Sequence, residues 1–388
     1  MKTVGRGDSG DWDAVIVGSS FAGLAAAMEL AGAGRVLLLD RIGIGEGQTS
    51  ACATPLRVLE ALRALEAVEQ IHTEAVFHFP DGHERRYPTG FPFATFDYMR
   101  LCELLAARTD ATFLQAVVYG YERGAVMTSR GSFRGRVLVD SSGWRAVLGS
   151  SVRPSLVDPG PRSLGLELRL GRRARGLHFW VFPPELACGI GWLFPAGGHS
   201  RVGLACYRGR GSLKLPLEHL VGEPAHGSDL HGGFFPSRLR DPVAGPIFLV
   251  GDAAGQCLPV TGEGIRPAFV FGQLAGRLAR RVLAGELPYS VALAAYRRLV
   301  LEHSAGWRLL GALQRALLGA PRVLPPTVAW LFGQGPFARP AQRAYWQLAS
   351  PDLLDPGGGG PRADSTDEAL PSVPVAGLRQ TLPGGSSG

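Results

Sequence analysis

Residues 14–30 read AVIVGSSFAGLAAAMEL, and this stretch decides the fold. Residues 13–17 form a short run rich in β-branched side chains, the pattern of a parallel strand buried on both faces. Gly18 allows a tight turn. Residues 21–30, rich in Ala and Leu, read as a helix, and Gly23 lets that helix pack close to the strand. Gly34 ends it, and a second apolar strand at 36–39 closes on Asp40. An acid about 20 residues after the first glycine is where a ribose hydroxyl is gripped. The helix N-terminus offers unpaired N–H groups and a partial positive charge to a pyrophosphate. In the frame G-x-G-x-x-G the middle position holds Ser20. Its Cβ takes room where the backbone should approach phosphate, while its hydroxyl can donate to a phosphate oxygen. The expectation is a phosphate cradle made by Gly18, Ser19, Ser20, Phe21, Ala22 and Gly23.

Composition narrows what surrounds this unit. The chain has 388 residues, 46% of them hydrophobic, which suggests about two or three domains. Five cysteines stand at 52, 102, 188, 206 and 257. They form no Cys-x-x-Cys pair or His/Cys cluster, so no metal site is expected and a reducing compartment is. His178, His199, His219 and His231 likewise lack metal-ligand spacing. Residues 1–13, MKTVGRGDSGDWD, lack the apolar core of a secretory signal. No run of about 18 apolar residues marks a membrane span. A cytoplasmic protein is expected. The net charge is +7, and only Lys2 and Lys214 among the 40 basic residues are lysines. The arginines are scattered without interleaved aromatics, so no nucleic-acid partner is expected.

Beyond the first unit, residues 42–56 form a Gly/Ser/Thr-rich loop of the length that often carries function. Residues 55–68 are helical by period. Strands are expected at 75–79 and 84–87 around the Asp81-Gly82 turn, and a helix at 97–107. Further strands are expected at 113–121, 124–127 and 136–140. A β-rich block follows at 163–170, 178–182, 190–194 and 201–207. Residues 246–250 form another buried strand, leading through a Gly-rich loop into a helix that ends at 283. Residues 289–350 are mostly helical, broken near 321–326. From 351 onward Gly, Pro, Ser and Asp dominate, and disorder is expected.

Residues 245–265, GPIFLVGDAAGQCLPVTGEGI, put an apolar strand before Gly251-Asp252 and a turn, Gly262-Glu263-Gly264-Ile265, at the head of a helix. With the first fingerprint, this resembles the FAD-binding pattern of flavoproteins built like p-hydroxybenzoate hydroxylase. The resemblance implies that Asp252 contacts the ribityl chain. It also implies that Gly251, Gly262, Glu263, Gly264 and Ile265 face the flavin and the pyrophosphate, with Asp40, Arg41, Arg100 and Val118 as further cofactor contacts. A helix N-terminus suits a reduced flavin anion. The intervening LVDSSGWR, 138–145, resembles a third motif that ordinarily ends Asp-Gly; here Ser142 replaces the acid, which weakens an inherited nicotinamide-binding role.

Residues 189–207, GIGWLFPAGGHSRVGLACY, narrow the family. Trp192, Phe194, Pro195, Val202 and Gly203 resemble the aromatic-x-Trp-x-Phe-Pro…Val-Gly motif of the geranylgeranyl reductase family, with Ile190 where an aromatic is usual. The resemblance implies a discontinuous Rossmann-like FAD-binding domain over 11–70, 96–150 and 240–285. An inserted β-rich substrate domain would occupy 71–95 and 151–239, and a C-terminal helical segment 286–350. It implies reduction of a C=C bond in an isoprenoid or other apolar small molecule or lipid, by hydride from reduced flavin. NADPH or a ferredoxin-like protein would be the electron donor, and the chain a monomer or dimer. Cys52 and Trp192 are the candidate catalytic residues, with Trp192, Phe194 and Trp180 lining the substrate slot. A cysteine near flavin can donate a proton, and aromatic faces stabilise cationic charge. The alternatives on this fold are an FAD-dependent monooxygenase and a flavin-binding protein without catalysis. Residues 309–333, apolar with interspersed arginines, are expected to pack on the core, with peripheral membrane contact as the second reading.

Overall fold

Val, Ile and Leu dominate Trp12–Val17 and Val36–Asp40, and these strands pair in parallel at the centre of a seven-stranded sheet. The computed structural model describes residues 2–3, 11–48, 50–157, 162–183, 186, 188–209, 212–225, 230–320, 324–333 and 338–350; the tail expected at 351–388 lies outside them. The sheet runs in the order Lys2–Thr3, Thr112–Gln115, Val36–Asp40, Trp12–Val17, Gly135–Asp140, Ile247–Leu249 and Val243–Ala244. All neighbours are parallel except the last pair. Helix Phe21–Glu29 covers one face, and helix Ile265–Leu283 packs against it. Two glycines set that contact. A Cβ at Gly272 would come 2.5 Å from the Ala22 carbonyl oxygen, and one at Gly276 2.7 Å from that of Ala26. The helices therefore meet backbone to backbone.

An eight-stranded sheet stands beside it, ordered Leu230–Phe235, Ser163–Leu170, His199–Cys206, Gly189–Ala196, Leu177–Val181, Val68–His78, Glu84–Phe96 and Ala53–Pro55. Side chains alternate across a strand, so each face has its own chemistry. Leu168, Val202, Leu204 and Cys206 pack with Leu217 and Val221 of helix Lys214–Val221. Gly165, Glu167, Arg201 and Gly203 are on the other face. A small third sheet joins Gly131–Phe133, Ala125–Thr128 and Val118–Glu122.

Two expectations change. The helix read at 55–68 is only Leu56–Ala61, followed by a short turn, Leu65–Ala67, and the long strand from Val68. Arg63 at φ 48° stops the helix, and pairing with Glu84–Phe96 takes the residues after it into the sheet. The strand read at 113–121 is two. Thr112–Gln115 joins the parallel sheet, and Val118–Glu122 turns away into the small one. The expected hairpin at Asp81-Gly82 is present, with Gly82 at φ 82° and both strands longer than read.

Helices Tyr289–Glu302, Ser304–Gly319, Leu324–Gly333 and Ala338–Gln347 complete the described residues. Pro325 and Pro326 stand in the first turn of the third, where a missing N–H costs nothing. Ser304–Gly319 packs on the molecule through Trp307, which donates to the Cys257 carbonyl at 3.3 Å, and Gln314, which accepts from the Val260 N–H at 2.7 Å. Leu309 stays 71% exposed. No helix among the described residues is long and apolar enough to cross a membrane.

Candidate functional site

The first cradle is built by close approach. Gly18 sits at φ 103°, and a Cβ there would overlap the Ser141 carbonyl; one at Gly23 would overlap the Gly18 carbonyl. The helix that follows has Ser20 at its N-cap without a side-chain cap, so the N–H groups of its first turn face outward unpaired. The Ser20 hydroxyl lies 3.0 Å from that of Tyr98, turned to a protein partner. Asp40 organises the turn from the next strand. Its Oδ2 accepts from the Ser19 N–H at 2.7 Å and the Ser19 hydroxyl at 2.9 Å, and its Oδ1 from the Arg41 N–H at 2.7 Å. Phe21 is a core residue, 5.1 Å from Phe269 and 5.2 Å from Tyr98 by ring centroids; only its backbone is offered to a ligand.

The second cradle follows strand Ile247–Leu249. Gly251 at φ 63° and Gly255 at φ 68° bracket a short turn, and the Gly251 N–H donates to Gln256 Oε1 at 2.6 Å. Arg240 braces the turn from below. Its Nη1 donates to the carbonyls of Trp144 at 2.8 Å and of Asp252 and Ala253, both at 3.2 Å. The Asp252 carboxylate accepts no hydrogen bond among the described residues. Burial pushes its pKa up to about 6, against the pull of Arg240. At the head of helix Ile265–Leu283, Gly264 is the N-cap with no side-chain cap. A half-buried carboxylate that accepts no hydrogen bond among the described residues, two uncapped helix N-termini and glycines that a Cβ would block fit a dinucleotide with hydroxyls and a pyrophosphate.

Glu263 has a different job. It forms a two-pronged pair with Arg266, Nε–Oε1 2.7 Å and Nη2–Oε2 2.9 Å, and accepts from the Tyr345 hydroxyl at 2.5 Å. The Arg266 side chain is fully buried and also donates to the carbonyls of Trp346 and Ala349. Its guanidinium lies 4.9 Å from the Trp346 ring. Glu263 therefore ties the C-terminal helix to the turn.

Across from this turn lies the second face of the eight-stranded sheet, and strand register orders it in rows. Nearest the turn are Phe235, 3.8 Å from the Cβ position of Gly262, and its cross-strand neighbour Ser163. Next comes a row of small residues, Gly233, Gly165 and Ala205. The third row is His231, Glu167, Gly203, Trp192, Phe179 and Phe77. The fourth is Arg169, Arg201 and Phe194. Rows are roughly 7 Å apart, so the small residues floor a slot between the turn and the Trp192 row. Nothing lies within 4 Å of the Cβ position of Gly233. The Trp192 indole lies over Gly203, where a Cβ would overlap the ring, and its Nε1 donates to Glu167 Oε2 at 2.5 Å.

The loop after Asp40 closes onto these rows. Gln48 Nε2 reaches Glu167 Oε1 at 3.4 Å. Cys52 is fully buried at φ 53°, its thiol 3.3 Å from the Ser50 carbonyl. Burial pushes the thiol pKa well above its ordinary value, with Arg201 pulling it down and Glu167 adding to the rise. Arg201 pairs with Glu69 at 2.6 Å, while its buried Nη1 has no hydrogen-bond partner among the described residues.

Cys52, Trp192 and Phe194 thus share one neighbourhood. Trp180 does not belong to it. It follows Phe179 on the strand, points through the opposite face and stacks on His78 at 4.5 Å. Arg41 contributes a backbone N–H to Asp40, and Arg100 pairs with Glu66 at 2.6 Å on the surface. Val118 pairs with Thr128 in the small sheet. Glu167, Arg201, Gln48 and Arg240 were missed. The alternation in SLGLELRL does place Glu167 opposite four leucines, but a charged face reads as solvent-facing; only register shows it turned inward.

No protein-family model matches the sequence. A 114-residue stretch, 24% of the chain and 27% of the relative, is 33% identical to the digeranylgeranylglycerophospholipid reductase of Methanocaldococcus jannaschii. Alignments to two further relatives so named, from Methanococcoides burtonii and Methanopyrus kandleri, span 41% and 32% of their lengths. Digeranylgeranylglycerophospholipid reductase 2 of Methanopyrus kandleri is 28% identical over 327 residues, 70% of the chain and 78% of the relative. Among solved structures, a geranylgeranyl bacteriochlorophyll reductase-like protein of Thermoplasma acidophilum superposes with TM-score 0.73 at 16% identity, covering 89% of this chain and 98% of that one. A probable FAD-dependent monooxygenase of Pseudomonas aeruginosa superposes with TM-score 0.61 at 18% identity, covering 81% and 97%. A flavin-dependent brominase gives 0.63 at 14%, covering 89% and 95%. The relatives are named as reductases, and the solved neighbours as a reductase-like protein, an FAD-dependent monooxygenase and a flavin-dependent brominase; the chain has the neighbours' fold, a Rossmann-type parallel sheet with a β-rich insert and C-terminal helices.

Proposed function

We propose that the chain is an FAD-dependent oxidoreductase that reduces C=C bonds of an isoprenoid or other apolar unsaturated substrate. The observation that carries this reading is the glycine-floored slot between the Gly251–Gly264 turn and the Trp192 row, with the Phe235 and Trp192 rings beside Gly165 and a buried thiol and a buried carboxylate at its border. An alkene needs such a place: room for a flat chain, exclusion of water, and a proton close by. The names of the curated relatives support the substrate class.

The N–H groups of the first turn of Phe21–Glu29 would take the pyrophosphate, and Asp40 a ribose hydroxyl. Asp252 would accept a ribityl hydroxyl, and the N-terminus of Ile265–Leu283 would face the electron-rich end of the ring. When bound and reduced, FAD supplies a hydride. The residues of this chain do the rest. Trp192 and Phe235 hold the alkene and keep water out, with Phe194 packed behind Trp192. The Trp192 face stabilises positive charge developing on the carbon that does not receive the hydride. Cys52 is held as a thiol beside that carbon.

The test is single-turnover oxidation of the dithionite-reduced holoenzyme by polyprenyl alcohols or phosphates without oxygen. Flavin reoxidation with a product heavier by two hydrogens is expected. Enzyme inert to every polyprenyl compound, yet consuming oxygen with an aromatic one, would make it a monooxygenase on the same fold.

A further inference from the structure

Glu167 is an acid turned inward from the strand Ser163–Leu170. Its side chain is 3% exposed. Each oxygen is held: Oε2 by Trp192 Nε1 at 2.5 Å, Oε1 by His231 Nε2 at 2.8 Å and by Gln48 Nε2 at 3.4 Å. His231, its direct cross-strand neighbour, is 26% exposed and stands on the edge strand Leu230–Phe235. One imidazole thus touches both solvent and the buried carboxylate. The carboxylate in turn borders the row of small residues that floors the slot, since Gly165 precedes it by two positions on the same strand and face. A structural pair would suit a packed sheet interior, but this pair borders open space: the Cβ position of Gly233, two residues from His231, has no neighbour within 4 Å.

We propose that His231 and Glu167 form the proton inlet of the slot, with Glu167 the acid that protonates the alkene. The inference rests on the reductase reading above. The bound, reduced cofactor would supply a hydride to one alkene carbon. The π pair forms the second C–H bond with a proton that the His231 imidazolium passes on through the Glu167 carboxylate, and the imidazole recovers a proton from water. The two electrons come from the flavin and the second hydrogen from solvent. Glu167 is the catalytic residue here. His231 acts through it, and Trp192 is positioned by it, its indole drawn over Gly203.

Glu167→Gln keeps the shape and the bond to Trp192 while removing the transferable proton. His231→Gly leaves room for added imidazole. In the single-turnover assay, Glu167→Gln is expected to slow reoxidation by a polyprenyl compound about 100-fold with unchanged dithionite reduction and flavin content. His231→Gly should be slowed about tenfold and recover with millimolar imidazole. Apart from turnover, the ¹⁵N resonances of His231 in flavin-free protein read the contact directly. They should shift in Glu167→Gln and stay in place in Cys52→Ala. Wild-type rates in both variants, with active wild-type enzyme, would overturn the inlet alone. Slow His231→Gly that imidazole does not restore would also overturn it. Wild-type enzyme inert to polyprenyl compounds would overturn the reductase reading and the inlet with it.

Discussion

The Asp252 carboxylate is half-buried and accepts no hydrogen bond among the described residues, and both have consequences. Its folded pKa of about 6 lies above the ordinary 3.8. Between those values the folded protein binds more protons than the unfolded chain, so stability falls as pH rises from about 4 to 6. Each pH unit of displacement is worth about 1.4 kcal/mol. Flavin-free Asp252→Asn should therefore melt higher than wild type at pH 7, by up to about 3 kcal/mol, with no advantage at pH 4. Denaturation at the two pH values checks this; equal differences would rule it out. The same variant should bind FAD more weakly, because the charged acceptor for a ribityl hydroxyl is gone. Two glycines make a second contrast. A Cβ at Gly165 meets its nearest atoms, in Phe235 and Trp192, at 3.7 and 3.9 Å, ordinary contacts, whereas one at Gly203 overlaps the Trp192 ring. Gly165→Ala should fold like wild type and raise KM by narrowing the slot. Gly203→Ala should lose about 1–3 kcal/mol and change indole emission as Trp192 leaves Glu167. Similar melting temperatures for the two would contradict the placement of the indole.

At the level of elements, helix Ile265–Leu283 links the two cradles, because its N-terminus serves one and its Gly272 and Gly276 seat it on the helix of the other. Gly272→Val would force backbone apart at the Ala22 carbonyl. A loss of about 3 kcal/mol or less is expected, with FAD affinity falling alongside, measured by melts and flavin titration. Unchanged affinity at reduced stability would show the cradle insulated from the helix pair. These elements were legible in the sequence because their causes are local: a glycine where φ is positive, an apolar run before it, an uncapped helix after it. Residues 55–68 misled because their helical period continues past Arg63, whose left-handed backbone and the strand pairing after Val68 depend on the rest of the sheet. Glu167 and His231 are 64 residues apart and meet through register alone. Cys52 and Trp192 are read from motif positions; strand pairing puts Trp180 on the face opposite Trp192, because neighbouring residues on a strand face opposite ways.

On the scale of the molecule, the C-terminal helix acts as a latch on the flavin turn. Arg266 is buried without access to solvent and is satisfied by Glu263 together with carbonyls of Trp346 and Ala349, beneath the Trp346 ring. The Tyr345 hydroxyl reaches both Glu263 and Thr261, at 2.5 and 2.8 Å. Tyr345, Trp346 and Ala349 all lie beyond residue 337. A chain ending at residue 350 keeps them all and should melt with the full protein and retain its flavin. One ending at residue 333 strips the guanidinium of its carbonyl acceptors and leaves it paired with Glu263 alone. Removing partners from a buried charge costs about 3–5 kcal/mol, and the turn that should hold the flavin loosens with it, so melting temperature and FAD occupancy should fall together. Arg266→Met separates the charge from the packing. In the chain ending at 333 it should recover part of the lost stability, since no cation is left without acceptors, while in the full chain it should be destabilising because Glu263 loses its partner. A chain ending at 333 that melts and binds flavin like the full protein would mean that the helix merely rests on the surface.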